Sequence, residues 1–371
     1  MPMNPETDFS RADAEFMARA IRLAQHGLYT TDPNPRVGCV LVREGRVVGE
    51  GWHRKAGGPH AEIEALAMAG REARGATAYV SLEPCCHHGK TPPCTEALIA
   101  AGVVRVVAAM EDPNPRVAGA GLGKLAEAGI AIGGGLLEND ATRLNPGFCR
   151  RMKTGRPWLR SKLAMSLDGR TAMASGESRW ITGEDARRDV HRLRARSSAI
   201  LTGIDTVLAD DPELTARLGA EAGEIAQPAR VVLDSKARFP ATARLVDGTG
   251  RTVVLTTGPS LARPSLPESV EVIQLLAGVD QRLNLDAVVD WLGLAEFNEV
   301  LVEAGPTLNG ALLEAGLVDE WIIYMAPVIL GDAARGLFHL PELARMADCH
   351  ELRLGDMRQV GRDIRMTFLK G

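Results

Sequence analysis

Aromatic residues make up only 4% of this 371-residue chain. A surface that reads single-stranded nucleic acid by stacking needs rows of aromatics interleaved with basic residues. Here 43 Lys and Arg are outnumbered by 47 Asp and Glu, and the net charge of -4 provides no electrostatic footprint for generic nucleic-acid binding. Six cysteines are too few for a disulfide framework in a chain of this length and point to a reducing cytoplasm. No apolar run is long enough to span a bilayer, and the polar, acidic residues 1–10 lack the apolar core of a signal peptide. A soluble cytoplasmic protein without a membrane partner is therefore expected. The chain also lacks G-x-G-x-x-G, so an ordinary Rossmann domain is not indicated.

What the chain does have is concentrated between His60 and Cys94: His60-Ala61-Glu62, then Leu82-Glu83-Pro84-Cys85, then Pro93-Cys94. One imidazole and two thiols that converge can hold a zinc ion and leave its fourth tetrahedral position open for water, the pattern of a catalytic site. Glu62 then has a task, because a carboxylate beside such a water can take its proton and pass it to a departing amine. The chemistry implied is hydrolytic deamination of an amidine-like carbon. A closed structural knot would need a fourth ligand from Cys86, His87 or His88, and would give Glu62 no purpose. Cys86 is expected to point away, since neighbouring residues rarely both reach one ion. The eight-residue insertion between Cys85 and Cys94 is polar and basic, suiting a loop that meets a substrate phosphate or ring, and His87 is its candidate contact.

Residues 60–69 place Ile63, Leu66 and Ala67 on one helical face, which puts His60 and Glu62 in a first turn and Gly70 at the end. Residues 76–82 read as a strand that delivers Cys85, and Cys94 opens the helical run 95–101, whose amino terminus favours thiolate. Before them come a helix at 12–26, a rigid Asp32-Pro33-Asn34-Pro35 turn, and strands at 37–42 and 46–51. Asn34 is either part of a stiff connector or reaches a pyrimidine edge in the zinc pocket. Further strands at 103–110 and 130–132 complete a layered α/β unit, with Gly133-Gly134-Gly135 read as a turn.

The length suggests two domains, divided as residues 1–153 and 154–371. The second opens with a strand at 158–167 and a tight Asp168-Gly169 turn, followed by an arginine-rich helix at 184–197 capped by Thr182. Most of its arginines belong to a solvated face, with Arg194 reserved for a phosphate or ribose. Residues 202–212 form either a ligand-lining loop or a plain surface turn. Strands at 230–234, 252–256 and 270–275, and a helix at 286–294, lead to the strand 299–303. That strand enters a helix through Ala304-Gly305-Pro306-Thr307-Leu308-Asn309-Gly310, where backbone amides could meet a cofactor pyrophosphate.

Across nearly its whole length the chain resembles the bacterial bifunctional riboflavin-biosynthesis enzymes, a pyrimidine deaminase fused to a pyrimidine reductase. The resemblance lies in Asp32-Pro33-Asn34-Pro35, His60-Ala61-Glu62, Leu82-Glu83-Pro84-Cys85, His87-His88-Gly89 and Thr91-Pro92-Pro93-Cys94. In the second half it lies in Ser166-Leu167-Asp168-Gly169-Arg170-Thr171-Ala172, Leu208-Ala209-Asp210-Asp211-Pro212 and Glu303-Ala304-Gly305-Pro306-Thr307-Leu308. It implies a cytidine-deaminase-like three-layer α/β/α domain followed by a dihydrofolate-reductase-like α/β domain. The first would deaminate diaminohydroxyphosphoribosylaminopyrimidine, with His60, Cys85 and Cys94 on zinc and Glu62 moving protons. The second would reduce the ribosyl group to ribityl with NADPH. Cofactor contacts would fall at Ala164, Trp180, Thr206, Asp210, Ser235 and Gly305, Pro306, Thr307, Leu308, Asn309, Gly310 and Ala311. Substrate contacts would fall at Ser178, Arg194, Leu214, Arg217 and Glu303. The expected partner is a small phosphorylated pyrimidine rather than nucleic acid, and a homo-oligomer is expected. Two other readings are a nucleic-acid base deaminase with a non-catalytic C-terminal module, opposed by the charge and aromatic content, and a fusion with only one active half, opposed on the deaminase side by intact Glu62.

Overall fold

The computed structural model describes residues 8–87, 92–115, 117–219, 223–258, 266–278 and 280–371. The chain divides into two compact units, residues 1–155 and 156–371.

In the first unit the order is α1 (Arg11–Ala24), β1 (Gly38–Arg43), β2 (Arg46–Trp52), α2 (Ala61–Ala69), β3 (Thr77–Val80), α3 (Cys94–Ala101), β4 (Arg105–Ala108), α4 (Ala120–Glu127), β5 (Ala131–Gly134), α5 (Glu138–Leu144) and α6 (Pro146–Thr154). The five strands make one sheet in the order β2-β1-β3-β4-β5. β1 is antiparallel to both its neighbours, whereas β3, β4 and β5 run parallel. Alternate strand residues point to opposite faces. Cys39, Leu41, Ala78, Val80, Val106 and Ala108 pack with α2, α3 and α4, while Val40, Val42, Tyr79 and Val107 pack with α1, α5 and α6. The result is three layers.

Two expectations about α2 change. Its buried face is Ala61, Ala65 and Ala69, not Ile63, Leu66 and Ala67, which stay partly or fully exposed. The reason is a close approach to β2: a Cβ at Gly49 would collide with the Ala65 carbonyl, and one at Gly51 with the Ala61 carbonyl. Backbone touching backbone leaves room only for alanine. His60, in turn, is the extended N-cap of α2 rather than a first-turn residue. Gly133 and Gly134 belong to β5 rather than to a turn; only Gly135 turns, with φ of +87°.

In the second unit the order is β6 (Trp158–Ser166), β7 (Arg170–Ala172), α7 (Glu184–Arg196), β8 (Ala199–Gly203), α8 (Ile204–Asp210), β9 (Ala229–Leu233), α9 (Arg244–Asp247), β10 (Thr252–Thr256), β11 (Val270–Gln274), α10 (Leu285–Leu294), β12 (Glu299–Val302), α11 (Pro306–Glu314), β13 (Glu320–Ala326), β14 (Arg335–Gly336), β15 (Leu352–Val360) and β16 (Asp363–Lys370). The main sheet has nine strands in the order β11-β10-β9-β8-β12-β6-β13-β16-β15. From β11 to β13 every pair is parallel, and β16 and β15 close the edge antiparallel. α10 and α11 cover one face, and α7, α8 and α9 the other. The carboxyl ends of β6, β8, β9 and β12 therefore share one edge, where open parallel sheets hold ligands.

Here too two local expectations fail. The N-cap of α7 is Gly183 and not Thr182; its amide donates to the Asp363 carboxylate at 2.7 Å, so a distant strand supplies the cap. Residues 202–212 are not a loop throughout, because α8 occupies most of them.

One buried polar cluster ties the first unit together. Asp13 caps α1 reciprocally with Ser10 and accepts 2.6 Å hydrogen bonds from Tyr79 Oη and Arg105 Nη1. Burial alone would raise the Asp13 pKa, but the bonds from Ser10, Tyr79 and Arg105 outweigh it and hold the carboxyl well below 3.8. A folded pKa below the unfolded value means stability that is present above pH 3.8 and lost as the pH falls below it. Asp13→Asn should cost roughly 1–3 kcal/mol at pH 7 and should lower thermal stability more at pH 7 than at pH 3. An equal loss at both pH values would contradict the assigned charge.

Candidate active sites

In the first unit, β3 ends at Val80, the chain passes Ser81 to Pro84, and Cys85 follows. α2 presents His60 at its start and α3 presents Cys94 as its first residue, so three separate segments meet. Their ligand atoms all lie within 4.8 Å of one another. His60 Nδ1 is 3.5 Å from Cys85 Sγ and 3.3 Å from Cys94 Sγ. These separations approach the roughly 3.6–3.8 Å edges of a tetrahedron around zinc with Zn–S near 2.3 Å and Zn–N near 2.1 Å.

The electrostatics fit a cation at that point. Cys85 is held well below the ordinary thiol pKa by a hydrogen bond from Cys94, with further help from His60 and the Cys94 amide, which donates to Cys85 Sγ at 3.4 Å. Cys94, bonded to Cys85 and buried, is pushed the other way. Its partner His60 is raised by its bond to Cys85. Two sulfurs and an imidazole that share protons in this way are a donor set that a divalent cation would relieve. Cys86 is not among the converging donors. His88 lies outside the described residues, as do Gly89, Lys90 and Thr91.

Glu62 sits in the first turn of α2, 3% exposed. Burial pushes its carboxyl up to about 7, partly opposed by His60 and by a hydrogen bond with Cys94. A divalent cation at the three donors would pull it back down. Asn34 does come to this pocket: its Nδ2 lies 3.1 Å from His53 Nε2, and the His53 ring packs edge-on against His60 at 5.4 Å. Because His53 Nδ1 donates to the Pro59 carbonyl at 2.9 Å, Nε2 is the acceptor and Asn34 is left with Oδ1 for a ligand. His87, two residues after Cys85, is exposed. Near it is Asp112, whose carboxyl burial raises to about 6, lowered somewhat by the Asn114 amide and raised again by Glu83.

His53 and Asp112 did not figure among the expected site residues. No periodicity marks His53. For Asp112 a signal exists, because Asp112-Pro113-Asn114-Pro115-Arg116-Val117 repeats Asp32-Pro33-Asn34-Pro35-Arg36-Val37 letter for letter.

In the second unit, Arg194 on α7 forks onto Glu303 just past β12, with Nε and Nη2 at 2.6 and 2.9 Å from its two oxygens. Arg194 Nη1 donates to the Thr215 carbonyl at 3.1 Å, and the Arg217 amide donates to His191 Nδ1 at 3.2 Å. The expected substrate residues Arg194, Arg217 and Glu303 are thus gathered, with His191 and Lys162 beside them. Burial chiefly lowers the Lys162 pKa, Glu303 raising it and Arg194 lowering it further. Burial, aided by Arg194 and Arg217, lowers His191 to about 4. For Glu303 burial is outweighed by Arg194, so its carboxyl stays ionised. Neither Lys162 nor His191 was expected from sequence; Lys162 is hidden inside the apolar pattern of β6.

Leu214 is 3% exposed within the core, so only its backbone can meet a ligand. Ser178 is partly exposed in the segment between β7 and α7. Trp180 is 67% exposed, with the Arg187 guanidinium 4.6 Å over its ring.

Ala164 near the end of β6, Thr206 and Asp210 on α8, and Ser235 just after β9 lie along the same carboxyl edge. At the start of α11, Gly305 is the N-cap and a Cβ there would meet nothing within 4 Å, so the approach to its amides is open. Asn309 is fully buried and its side chain is committed to Ser161 and to the Ala304 and Gly305 carbonyls. Gly310 is glycine for packing, since a Cβ would collide with the His339 carbonyl. Thr307 Oγ1 lies 3.1 Å from His339 Nδ1. Pro306, Leu308 and Ala311 complete the first turns of α11.

Residues 10–110 match the cytidine and deoxycytidylate deaminase zinc-binding region, and residues 157–366 match the RibD C-terminal domain. Riboflavin biosynthesis protein RibD of Escherichia coli K12 is 53% identical over 95% of this chain and 98% of its own length. That of Haemophilus influenzae is 50% identical over 97% and 98%. Among solved structures, Acinetobacter baumannii RibD superposes with a TM-score of 0.90 at 45% identity, covering 97% of this chain and 99% of that one. The Thermotoga maritima diaminohydroxyphosphoribosylaminopyrimidine deaminase/5-amino-6-(5-phosphoribosylamino)uracil reductase does so with 0.86 at 34% identity, with the same coverage. Both halves are accounted for together, which leaves the nucleic-acid deaminase reading without support. The chain belongs to the RibD family, the bifunctional enzymes of riboflavin biosynthesis that join a deaminase with a zinc-binding region to a reductase.

Proposed function

We propose that the first unit hydrolyses the 2-amino group of diaminohydroxyphosphoribosylaminopyrimidine and that the second reduces the ribosyl group of the product to ribityl with NADPH, in the cytoplasm. The substrate is the one named for the Thermotoga maritima relative. The convergence of His60, Cys85 and Cys94 with the buried Glu62 carries the reading of the first unit. A zinc ion held by those three donors would supply Lewis-acid activation of a water. Glu62, as general base and then acid, takes a proton from the attacking water and hands it to the departing ammonia. Asn34 Oδ1, set by His53, faces the pyrimidine edge, and His87 borders the substrate at the rim.

In the second unit, Arg194 and Arg217 hold the substrate phosphate and Glu303 the sugar, with Ser178 and the Leu214 backbone completing the pocket. Because Arg194 already forks onto Glu303, its Nη1 edge is the one that meets the phosphate. NADPH bound in this pocket would supply the hydride for that reduction. The amides of Gly305, Thr307 and Leu308 at the start of α11 would take the pyrophosphate, and Pro306, Ala311, Ala164, Trp180, Thr206, Asp210 and Ser235 would border the rest of the cofactor. Asn309 and Gly310 contribute there by shaping the turn rather than by touching the ligand.

Glu62→Gln should retain one zinc per chain while ammonia release falls about 10³-fold, with reduction of the deaminated pyrimidine unchanged. Ammonia release near the wild-type rate would remove Glu62 from the chemistry. Arg194→Ala should raise KM for the phosphorylated pyrimidine in the reductase assay by about tenfold or more, with calorimetric NADPH affinity unchanged. An unaltered KM would place the phosphate elsewhere.

A further inference from the structure

Two residues before the Cys85 ligand lies a carboxylate that the chemistry above does not use. Glu83 is 3% exposed, and its two oxygens accept four backbone N–H bonds from one segment. Oε2 takes Asp112 N and Gly119 N, both at 3.0 Å; Oε1 takes Gly121 N at 2.8 Å and Leu122 N at 3.1 Å. Gly121 and Leu122 are the second and third residues of α4, the two amides that an N-cap side chain ordinarily serves. α4 has Gly119 at its N-cap and no side-chain cap of its own. Glu83 therefore caps this helix from another part of the chain, with its negative charge on the positive end of the helix dipole.

The same contact clamps the peptide leading to the metal ligand. The Glu83 amide donates to the Met110 carbonyl at 3.0 Å. A Cβ at Gly121 would collide with the Pro84 carbonyl oxygen, so α4 rests directly on the Glu83-Pro84 peptide. On its other side Cys85 is fixed by α3, through Cys94 N to its sulfur and Thr95 N at 3.2 Å to its carbonyl. Cys85 is thus strung between two helix amino termini, and one of them is held against the Glu83-Pro84 peptide by the Glu83 carboxylate.

We infer that Glu83 is a positioning residue of the metal centre: by collecting four amides of the 112–122 segment on one carboxylate, it fixes where Cys85 Sγ meets His60 and Cys94. This rests on the metal-site reading above. It makes Glu83 an outer support of the ligand, a class of partner whose removal weakens metal affinity by about 10–100-fold.

Glu83→Gln keeps the shape but replaces one acceptor oxygen by an NH₂ group that faces two N–H donors. In the full-length zinc-loaded protein, this variant should release zinc to a competing chromophoric chelator at about tenfold lower chelator concentration than wild type. Deaminase kcat should fall at limiting zinc and return with excess zinc, KM for the pyrimidine should not change, and reduction of the deaminated pyrimidine should be untouched. Lys124→Ala removes the exposed 2.8 Å Lys124–Glu96 ion pair that joins α4 to α3 and should leave zinc retention as in wild type, separating general loosening of α4 from loss of the clamp. Should Glu83→Gln fail to fold, Gly121→Ala, which presses on the Pro84 carbonyl, should show the same early zinc release. Wild-type zinc retention in whichever of these two variants folds overturns the inference, as does equal zinc loss in Lys124→Ala. Wild-type protein without zinc would instead sink the metal reading itself.

Discussion

The first unit brings two sulfurs and an imidazole nitrogen from three separate segments to within 4.8 Å of one another. His60 Nδ1 lies 3.5 Å from Cys85 Sγ and 3.3 Å from Cys94 Sγ. Such crowding persists only if the surrounding structure over-determines it. The small-residue contact of α2 with β2 fixes His60, the start of α3 fixes Cys94, and the exit of β3 fixes Cys85. A divalent cation there would meet three donors at once, and Glu62 is buried beside them.

The second unit solves a different problem with the same device of strand ends. Its parallel sheet brings the ends of β6, β8, β9 and β12 to one edge, and the long α7 reaches over them with Arg194. A guanidinium that forks onto Glu303 while touching the Thr215 carbonyl keeps the carboxylate ionised and the 213–217 turn close. A neutral His191 and a Lys162 with a lowered pKa complete a pocket in which several charges balance one another before any ligand enters.

Much of this was legible in the sequence where chemistry dictates residue type. His60, Glu62, Cys85 and Cys94 stand out because few other purposes need that combination, and the strands read from periodicity fall within two residues of the observed ones, whereas β13, β15 and β16 at the far edge of the second sheet went unread. What stayed hidden depends on contacts between distant segments. The α2 face was misjudged because hydrophobicity favours Ile63 and Leu66, whereas the glycines of β2 admit only alanine. Thr182 looked like a cap, but Asp363 serves the Gly183 amide from the far end of the chain. Leu214 and Asn309 lie in ligand-like stretches, yet their side chains are spent inside the core. Glu83 carries no mark in the sequence beyond its place before Cys85, and only the fold reveals four amides converging on it.

The central claim is that one zinc ion sits on one nitrogen and two sulfurs of this chain. X-ray absorption at the zinc edge of the purified, reduced protein, with metal content measured on the same sample, tests it most directly. The account predicts one zinc per chain, with two sulfur scatterers near 2.3 Å and the remaining positions filled by lighter nitrogen or oxygen atoms. Metal-free protein, or a shell of three or four sulfurs, would contradict it.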